Sequence, residues 1–176
     1  MSRLAIKPTG VERFFEENEI IVSKTDLAGR VTYANEVFLK IAGYTEEEIL
    51  GAPHSIIRHP DMPRAVFQVL WDTIEAGKEI FAYVINMAKN GDHYWVLAHV
   101  TPTFGPDGKI VGYHSNRRVP DRNAVTVAAD LYAQLRAVEN EHPDRREGLA
   151  ASLALLGQAL ADTGMPYEEF VWTLAA

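Results

Sequence analysis

The chain has 176 residues, of which 47% are hydrophobic, and it carries a formal net charge of -7. This length is sufficient for one hydrophobic core and too short for two large domains. The negative charge opposes binding to nucleic-acid phosphates, so we expect no nucleic-acid partner. Because the chain contains no cysteine, the sequence excludes disulfides, zinc–thiolate sites and iron–sulfur clusters.

Neither a signal peptide nor a membrane anchor is expected, because residues 1–10 contain no apolar stretch. The longest apolar-rich run, residues 149–161, is interrupted by Ser152 and Gln158. It is shorter than the roughly 20 residues that a membrane-spanning helix needs. We therefore expect no membrane insertion and a cytoplasmic location.

The first half of the chain predicts two short strands, two short helices and one longer helix. The bounds of these elements are residues 20–24, 30–34, 36–42, 46–50 and 61–77. Thr45 and Glu48 form a capping box that opens the second helix. Four residues at helical spacing give the longer helix one apolar face, namely Phe67, Leu70, Trp71 and Ile74.

Three further strands are predicted over residues 80–88, 93–104 and 109–118. The dipeptide Asn90-Gly91 predicts a type I′ turn between the first two of them. Two strands, short helices and three strands in this order indicate an α+β fold, with an antiparallel sheet and helices on one face.

Helices are predicted beyond Pro120, over residues 121–140, 145–163 and from Pro166 onward. Leucines at seven-residue spacing form a stripe on the second of these helices, comprising Leu149, Leu153, Leu156 and Leu160. This stripe predicts packing either on the preceding helix of the same chain or on a second copy in a homodimer.

Several short motifs between residues 31 and 96 occur in a recognisable order. Residues 31–35 (VTYAN) and 41–46 (IAGYTE) are similar to the general PAS signature. Four further features occur in the order seen in the FAD-binding PAS domain of bacterial aerotaxis receptors: residues 51–54 (GAPH), residues 58–63 (RHPDMP), Trp71, and residues 89–96 (KNGDHYWV). The resemblance covers residues 20–118.

The resemblance implies a PAS fold, in which a five-stranded antiparallel sheet with short helices on one face encloses a flavin. On this basis we divide the chain into an N-terminal extension (1–19), a PAS sensor domain (20–119) and a helical C-terminal extension (120–176). The absence of cysteine excludes the cysteinyl-flavin chemistry of blue-light receptors.

The implied function is that of a cytosolic redox, oxygen or energy sensor, as in aerotaxis and chemotaxis. Such a sensor binds FAD without a covalent link and passes the flavin redox state to a signalling partner protein. FMN and haem are less favoured cofactors, and the rival function is a cofactor-free interaction module with Phe81, Tyr83 and Trp71 filling the pocket. No nucleophile with an adjacent base and no nicotinamide-binding glycine motif is found, so no enzyme activity or catalytic residue is predicted.

Six residues match cofactor-binding positions of the resembled family: Asn35, Arg58, His59, Asp61, Trp71 and Asn86. The planar guanidinium of Arg58 suits a phosphate of FAD, although a local ion pair with Asp61 would also account for it. Asn35 suits either a helix cap or a ligand contact. Trp71 suits either core packing or stacking on the flavin.

Asn86 is an amide in an apolar strand, and an amide can present a donor or an acceptor to a flavin edge. His59 is the haem-ligand alternative. The other histidines lack metal-ligand spacing and are expected on the surface or on a sheet face, namely His54, His93, His99, His114 and His142. We therefore predict no metal site.

Overall fold

The computed structural model describes residues 6–175. The elements in chain order are β1 (Ile21–Thr25), β2 (Val31–Ala34), α1 (Glu36–Ala42), α2 (Glu46–Ile49), a 3-10 turn (His54–Ile57), α3 (Arg64–Glu75), β3 (Ile80–Met87), β4 (His93–Phe104), β5 (Ile110–Arg118), α4 (Arg122–Glu141), α5 (Arg145–Thr163) and α6 (Tyr167–Thr173). The strands form one antiparallel sheet in the order β2-β1-β5-β4-β3. The predicted α+β fold with five antiparallel strands is confirmed.

The predicted capping box at the start of α2 is present. The Thr45 hydroxyl accepts the Glu48 backbone N–H at 3.3 Å, and the Glu48 carboxylate accepts the Thr45 backbone N–H at 3.0 Å. Two of the otherwise unpaired donors at the helix start are thereby satisfied. The 3-10 turn after Pro53, in contrast, is an element that the sequence does not predict.

The loop between β3 and β4 is not the predicted type I′ turn. That turn requires a positive φ at both Asn90 and Gly91, but only Gly91 has one, of 97°. The Asn90 side-chain oxygen instead accepts the Asp92 backbone N–H at 3.0 Å, and the connection spans residues 88–92. Gly91 is also required by close approach, because a Cβ there would lie 2.2 Å from the backbone oxygen of Lys7.

The segment over residues 9–13 runs beside the start of β4. The Arg13 backbone N–H donates to the His93 carbonyl at 2.7 Å, and the His93 N–H donates to the Val11 carbonyl at 2.9 Å. The Arg13 guanidinium also pairs with the Asp92 carboxylate at 2.9 Å. Part of the predicted N-terminal extension is therefore held against the sheet.

An ion pair joins this segment to the first turn of α4. Two guanidinium nitrogens of Arg122 donate to the two carboxylate oxygens of Glu12, at 2.8 and 3.0 Å. The same guanidinium lies 5.4 Å from the centroid of the Phe14 ring. The segment that precedes β1 and the helix that follows β5 therefore lie side by side.

The alternation of β3 separates the two faces of the sheet. Val84 and Asn86 face α3, whereas Phe81 and Tyr83 lie on the opposite face. Phe81 stacks on His99 with ring centroids 4.1 Å apart and also contacts Trp172 of α6. The aromatic residues proposed as pocket fillers in the rival function therefore lie away from α3, with the exception of Trp71.

The C-terminal helices cover that opposite face and extend toward α3. Tyr132 of α4 stacks on Trp95, with ring centroids 6.1 Å apart, and donates its hydroxyl to the carbonyl of Tyr83. The buried residues of α5 are Gly148, Ser152 and Leu156. Of the predicted leucine stripe only Leu156 is fully buried, and α5 packs on α4 within the chain.

Gly148 and Ser152 explain why α5 packs on α4 through the face that carries them. A Cβ at position 148 would lie 2.6 Å from the Glu139 backbone oxygen, so the two helices approach more closely than leucines would allow. Leu149 and Leu153 are consequently displaced to half-buried positions. The homodimer seam stays a prediction.

The carboxylate of Glu139, near the end of α4, binds the start of α3, and we call this contact the Glu139 clamp. The carboxylate accepts the Ala65 backbone N–H at 3.0 Å and the Arg64 Nε–H at 3.1 Å. Arg64 also donates to the carbonyl oxygens of Glu139 and Arg145. A carboxylate at a helix N-terminus is favoured by the helix dipole.

Burial alone would raise the pKa of Glu139, of which 5% is exposed. Hydrogen bonds from the backbone amides of Arg64 and Ala65, and from the Arg64 side chain, outweigh this effect and hold the pKa below its usual value. The carboxylate is therefore ionised at neutral pH.

We expect Glu139→Gln to lower the free energy of unfolding by about 2 kcal/mol, because a neutral amide weakens charge-assisted hydrogen bonds to α3. Urea unfolding at pH 7, followed by circular dichroism, measures this change. Glu141→Gln is the matched control, since Glu141 is exposed at the end of the same helix, and its effect should stay below about 0.5 kcal/mol. Equal effects of the two substitutions would contradict the role of the clamp.

Candidate cofactor-binding site

A cavity of about 220 Å³ lies between the sheet and α3, and we call it the sheet cavity. Its walls come from α3, the 3-10 turn and four strands. Most of the wall is apolar and includes Ile57, Leu70, Trp71, Ile74, Val84 and Val100. A few polar side chains interrupt this surface, as is typical of small-molecule sites.

Three of the six predicted site residues line the sheet cavity: Arg58, Trp71 and Asn86. Asn86 is 4% exposed, and its Nδ2 has no hydrogen-bond partner among the described residues. The Trp71 ring lies edge-on to Tyr113, with centroids 5.5 Å apart. The structure therefore brings these three together around one space.

Asn35 lies outside the wall of this cavity. Its side-chain oxygen accepts the backbone N–H groups of Phe38 and Val22, each at 3.0 Å, and its Nδ2 donates to the Ile20 carbonyl at 2.7 Å. These bonds cap α1 and attach the helix to the first strand. Of the two roles weighed for Asn35, the structure shows capping.

His59 and Asp61 also lie outside the wall. The buried His59 ring accepts the Asp61 backbone N–H at its Nδ1, at 3.0 Å. The Asp61 carboxylate pairs with Arg136 of α4 at 2.6 Å. The alternative of an ion pair between Arg58 and Asp61 is thus wrong, and the guanidinium of Arg58 instead lies 4.2 Å from the centroid of the Phe67 ring.

Arg117 of β5 is a wall residue that the sequence-based prediction missed. It is 2% exposed, and its Nη2 donates to the Ser23 hydroxyl at 2.6 Å and to His54 Nε2 at 2.8 Å. Its Nη1 has no partner within residues 6–175. Burial lowers the pKa of Arg117 to about 10, so the group is charged at neutral pH and lacks an anionic partner among these residues.

His54 also lines the sheet cavity, where it is half-buried and lies in the 3-10 turn rather than on a sheet face. The 3-10 turn, which the sequence does not reveal, brings its ring beside Arg117. Burial, together with the charge of Arg117, lowers the pKa of His54 to about 3. The ring is therefore neutral, with Nε2 as the acceptor for Arg117 and the proton on Nδ1.

One signal in the sequence could have indicated Arg117. Tyr113, Ser115 and Arg117 alternate along β5 and share its inner face. A cation in such a position of a central strand requires a buried partner or a ligand. The partnership with His54 could not be found in this way, because it joins segments 63 residues apart.

Comparison with known proteins agrees with this geometry, since residues 31–117 match the PAS fold family. The chain carries a PAS domain. It is 40% identical to the aerotaxis receptor of Escherichia coli (strain K12) over 121 residues, which are 69% of this chain and 24% of that protein. It is 28% identical to the nitrogen fixation regulatory protein of Klebsiella pneumoniae over 103 residues, which are 58% of this chain and 21% of that protein.

The chain therefore spans about a quarter or less of the length of these relatives. Among solved structures, the PAS domain is similar to the light-state blue-light photoreceptor Aureochrome1 LOV, with a TM-score of 0.56 and 24% identity over 62% of this chain and 88% of that one. A light-oxygen-voltage domain studied with a flavin analogue gives a TM-score of 0.54 and 21% identity, over 70% and 87% of the two chains. At these identities the likeness shows the fold alone.

Two further findings bear on the site and its surroundings. Within residues 6–175, no group of three or more His, Cys, Asp or Glu side chains could hold a metal ion. In the same part of the chain, no helix is both long and apolar enough to span a bilayer.

The low pKa of His54 predicts a pH-dependent stability. The unfolded chain takes up a proton on this histidine below about pH 6.5, while the folded chain does so only near pH 3. Stability should therefore fall as the pH drops through this window, by up to about 1.4 kcal/mol per pH unit for one proton.

We expect His54→Gln to remove this contribution. The difference in unfolding free energy between wild type and variant should then shrink by about 2 kcal/mol between pH 7.5 and pH 5. Urea unfolding at the two pH values measures it. A difference that does not change with pH would show that the pKa of His54 is the same in the folded and the unfolded chain.

Proposed function

We propose that the PAS domain binds FAD without a covalent link and reports the flavin redox state to a signalling partner protein. The observation that carries this proposal is a pair of buried donors in the sheet cavity. Asn86 Nδ2 and Arg117 Nη1 both lack partners within residues 6–175. A buried donor left unpaired costs about 1–3 kcal/mol, so a ligand that offers acceptors to both is favoured.

The residues of the sheet cavity fit an isoalloxazine ring. Flat apolar surfaces from α3 and from the sheet, including Leu70 and Val84, suit the two faces of a tricyclic ring. Asn86 and Arg117 offer donors to an edge that carries carbonyl oxygens and ring nitrogens. The relatedness to the aerotaxis receptor, a family whose PAS domain binds FAD, supports FAD rather than FMN.

A bound flavin would supply reversible electron transfer, in which reduction converts its N5 from an acceptor to a donor. The two donor residues respond differently to such a change. The Asn86 amide can turn to present either its oxygen or its nitrogen, whereas the Arg117 guanidinium can only donate. Asn86 is thus the residue able to contact the two states differently, as a ligand-driven conformational change requires.

The surroundings of Asn86 suggest a route to the C-terminal helices. Its backbone pairs with that of Arg58 in an isolated bridge, and Arg58 precedes the segment that leads into α3. The start of α3 is held by the Glu139 clamp of α4. We infer that a change at Asn86 reaches α4 and α5, and that a partner protein or a second copy reads their packing.

Two rival functions gain less support from the geometry. In the cofactor-free module, Phe81 and Tyr83 would fill the pocket, but they lie on the opposite face of the sheet. In the haem sensor, His59 would be the ligand, but it lies outside the cavity wall. We propose a cytoplasmic sensor module without enzyme activity of its own, and NADH turnover by the purified protein would contradict this.

We expect the purified protein to be yellow, with a flavin absorption band that bleaches on addition of dithionite. Asn86→Leu should weaken FAD binding about tenfold, because it removes a buried donor worth roughly 1.4 kcal/mol. Asn116→Leu is the matched control, since Asn116 lies on the same sheet but faces away from the sheet cavity. A Soret band, or a protein that binds no flavin, would overturn the proposal.

We expect the reduction of bound FAD to change amide hydrogen exchange in α4 and α5, because both helices are attached to α3. Exchange is compared for the oxidised and dithionite-reduced protein. Glu139→Gln should diminish the difference, since it weakens the clamp, while Glu141→Gln should leave it unchanged. Identical exchange in the two states of the wild-type protein would exclude these helices as the output.

A further inference from the structure

A second cleft, of about 450 Å³, lies between the start of α3, the end of α4 and the start of α5. Four arginines line it, namely Arg58, Arg64, Arg136 and Arg145, and Glu139 is the single carboxylate in its wall. We call it the arginine cleft. Such a concentration of positive charge is unusual in a chain whose net charge is -7.

Only two of these four cations are neutralised by a partner. Arg64 pairs with Glu139 at 3.1 Å and Arg136 pairs with Asp61 at 2.6 Å. Arg58 and Arg145 have no carboxylate partner within residues 6–175. An anion in the cleft would therefore meet two uncompensated guanidinium groups.

The pKa of Arg58 shows the same excess of positive charge. Burial lowers this pKa, Glu139 opposes the effect, and the neighbouring charges of Arg145 and Arg64 lower it further. An anionic ligand beside Arg58 would relieve this repulsion.

Arg58 lines both the arginine cleft and the sheet cavity, so the two spaces meet at its side chain. The sheet cavity, at about 220 Å³, is smaller than the several hundred Å³ typical of sites for whole cofactors. A molecule with a flat apolar part in the sheet cavity that extends past Arg58 would place an anionic part in the arginine cleft.

We propose that the arginine cleft is a diphosphate site that takes the ADP half of the flavin dinucleotide, with Arg58 and Arg145, the two arginines without a carboxylate partner within residues 6–175, as its donors. The planar fork of arginine matches phosphate oxygens bidentately. This inference rests on the proposed function, and it adds that residues of the C-terminal extension belong to the cofactor site itself.

The two arginines have different tasks in this arrangement. Arg58, at the boundary of the two spaces, meets the phosphate nearest the ring, which FMN and FAD both possess. Arg145, at the first position of α5, meets the part that only the dinucleotide has. The C-terminal helices therefore select FAD over FMN, and FAD in turn holds them against α3.

The test compares Arg145→Gln with Arg146→Gln, which removes the same charge from the next residue of α5. Arg146 is exposed and lies outside the arginine cleft. Dissociation constants for FAD and FMN are measured by titration of the apoprotein with each flavin. We expect Arg145→Gln to weaken FAD binding about tenfold, as loss of one charge-assisted contact implies, and FMN binding less than about twofold.

Arg146→Gln should change neither constant by more than about twofold, and Arg145→Lys should lie between wild type and Arg145→Gln. The side chain of Arg145 makes no hydrogen bond within the described residues, since its contact to Arg64 uses the backbone oxygen. The variant should therefore fold. Flavin binding with an unchanged ratio of FAD to FMN constants would overturn this inference alone, while a wild-type protein that binds neither flavin would overturn the proposed function as well.

Discussion

The Glu139 carboxylate at the first turn of α3 is the contact on which both sites depend. It satisfies the Ala65 backbone donor and the Arg64 guanidinium, and it joins α4 to the helix that walls the sheet cavity. Without an acceptor there, a buried helix start would keep unpaired N–H groups. The shape of the sheet cavity and the position of the arginine cleft are consequently set by a residue outside the PAS segment matched at residues 31–117.

The distribution of charge inside the molecule follows from the same packing. Arg117 is buried without a carboxylate among the described residues, and the neutral His54 serves as its acceptor. Burial of the His54 ring, together with the charge of Arg117 at 2.8 Å, lowers the pKa of His54 and keeps the ring neutral. The wall of the sheet cavity is thus positive and rich in donors, while the chain as a whole is acidic.

Local chemistry explains what could be predicted from the sequence. The capping box of Thr45 and Glu48 involves neighbouring residues, and strand bounds given by alternation lie within one or two residues of those observed. The resemblance to a family led to Arg58, Trp71 and Asn86, all of which line the sheet cavity. Their part in binding a cofactor stays a prediction.

The features that could not be predicted depend mostly on contacts between segments that are distant in the sequence. Asp61 pairs with Arg136 rather than with Arg58, and the pair of Asp61 with Arg136 forms because α4 packs beside α3. The partnership of Arg117 with His54 needs the 3-10 turn. The type I′ turn is absent for a local reason, because the Asn90 side chain accepts the Asp92 N–H. In each case, the observed structure depends on a contact that the hydrophobic periodicity of the sequence does not predict.

The ion pair between Glu12 and Arg122 joins the segment that precedes the sheet to the helix that follows it. It places the approach to the sheet and the departure from it side by side. A displacement of either segment would therefore be transmitted to the other through this ion pair.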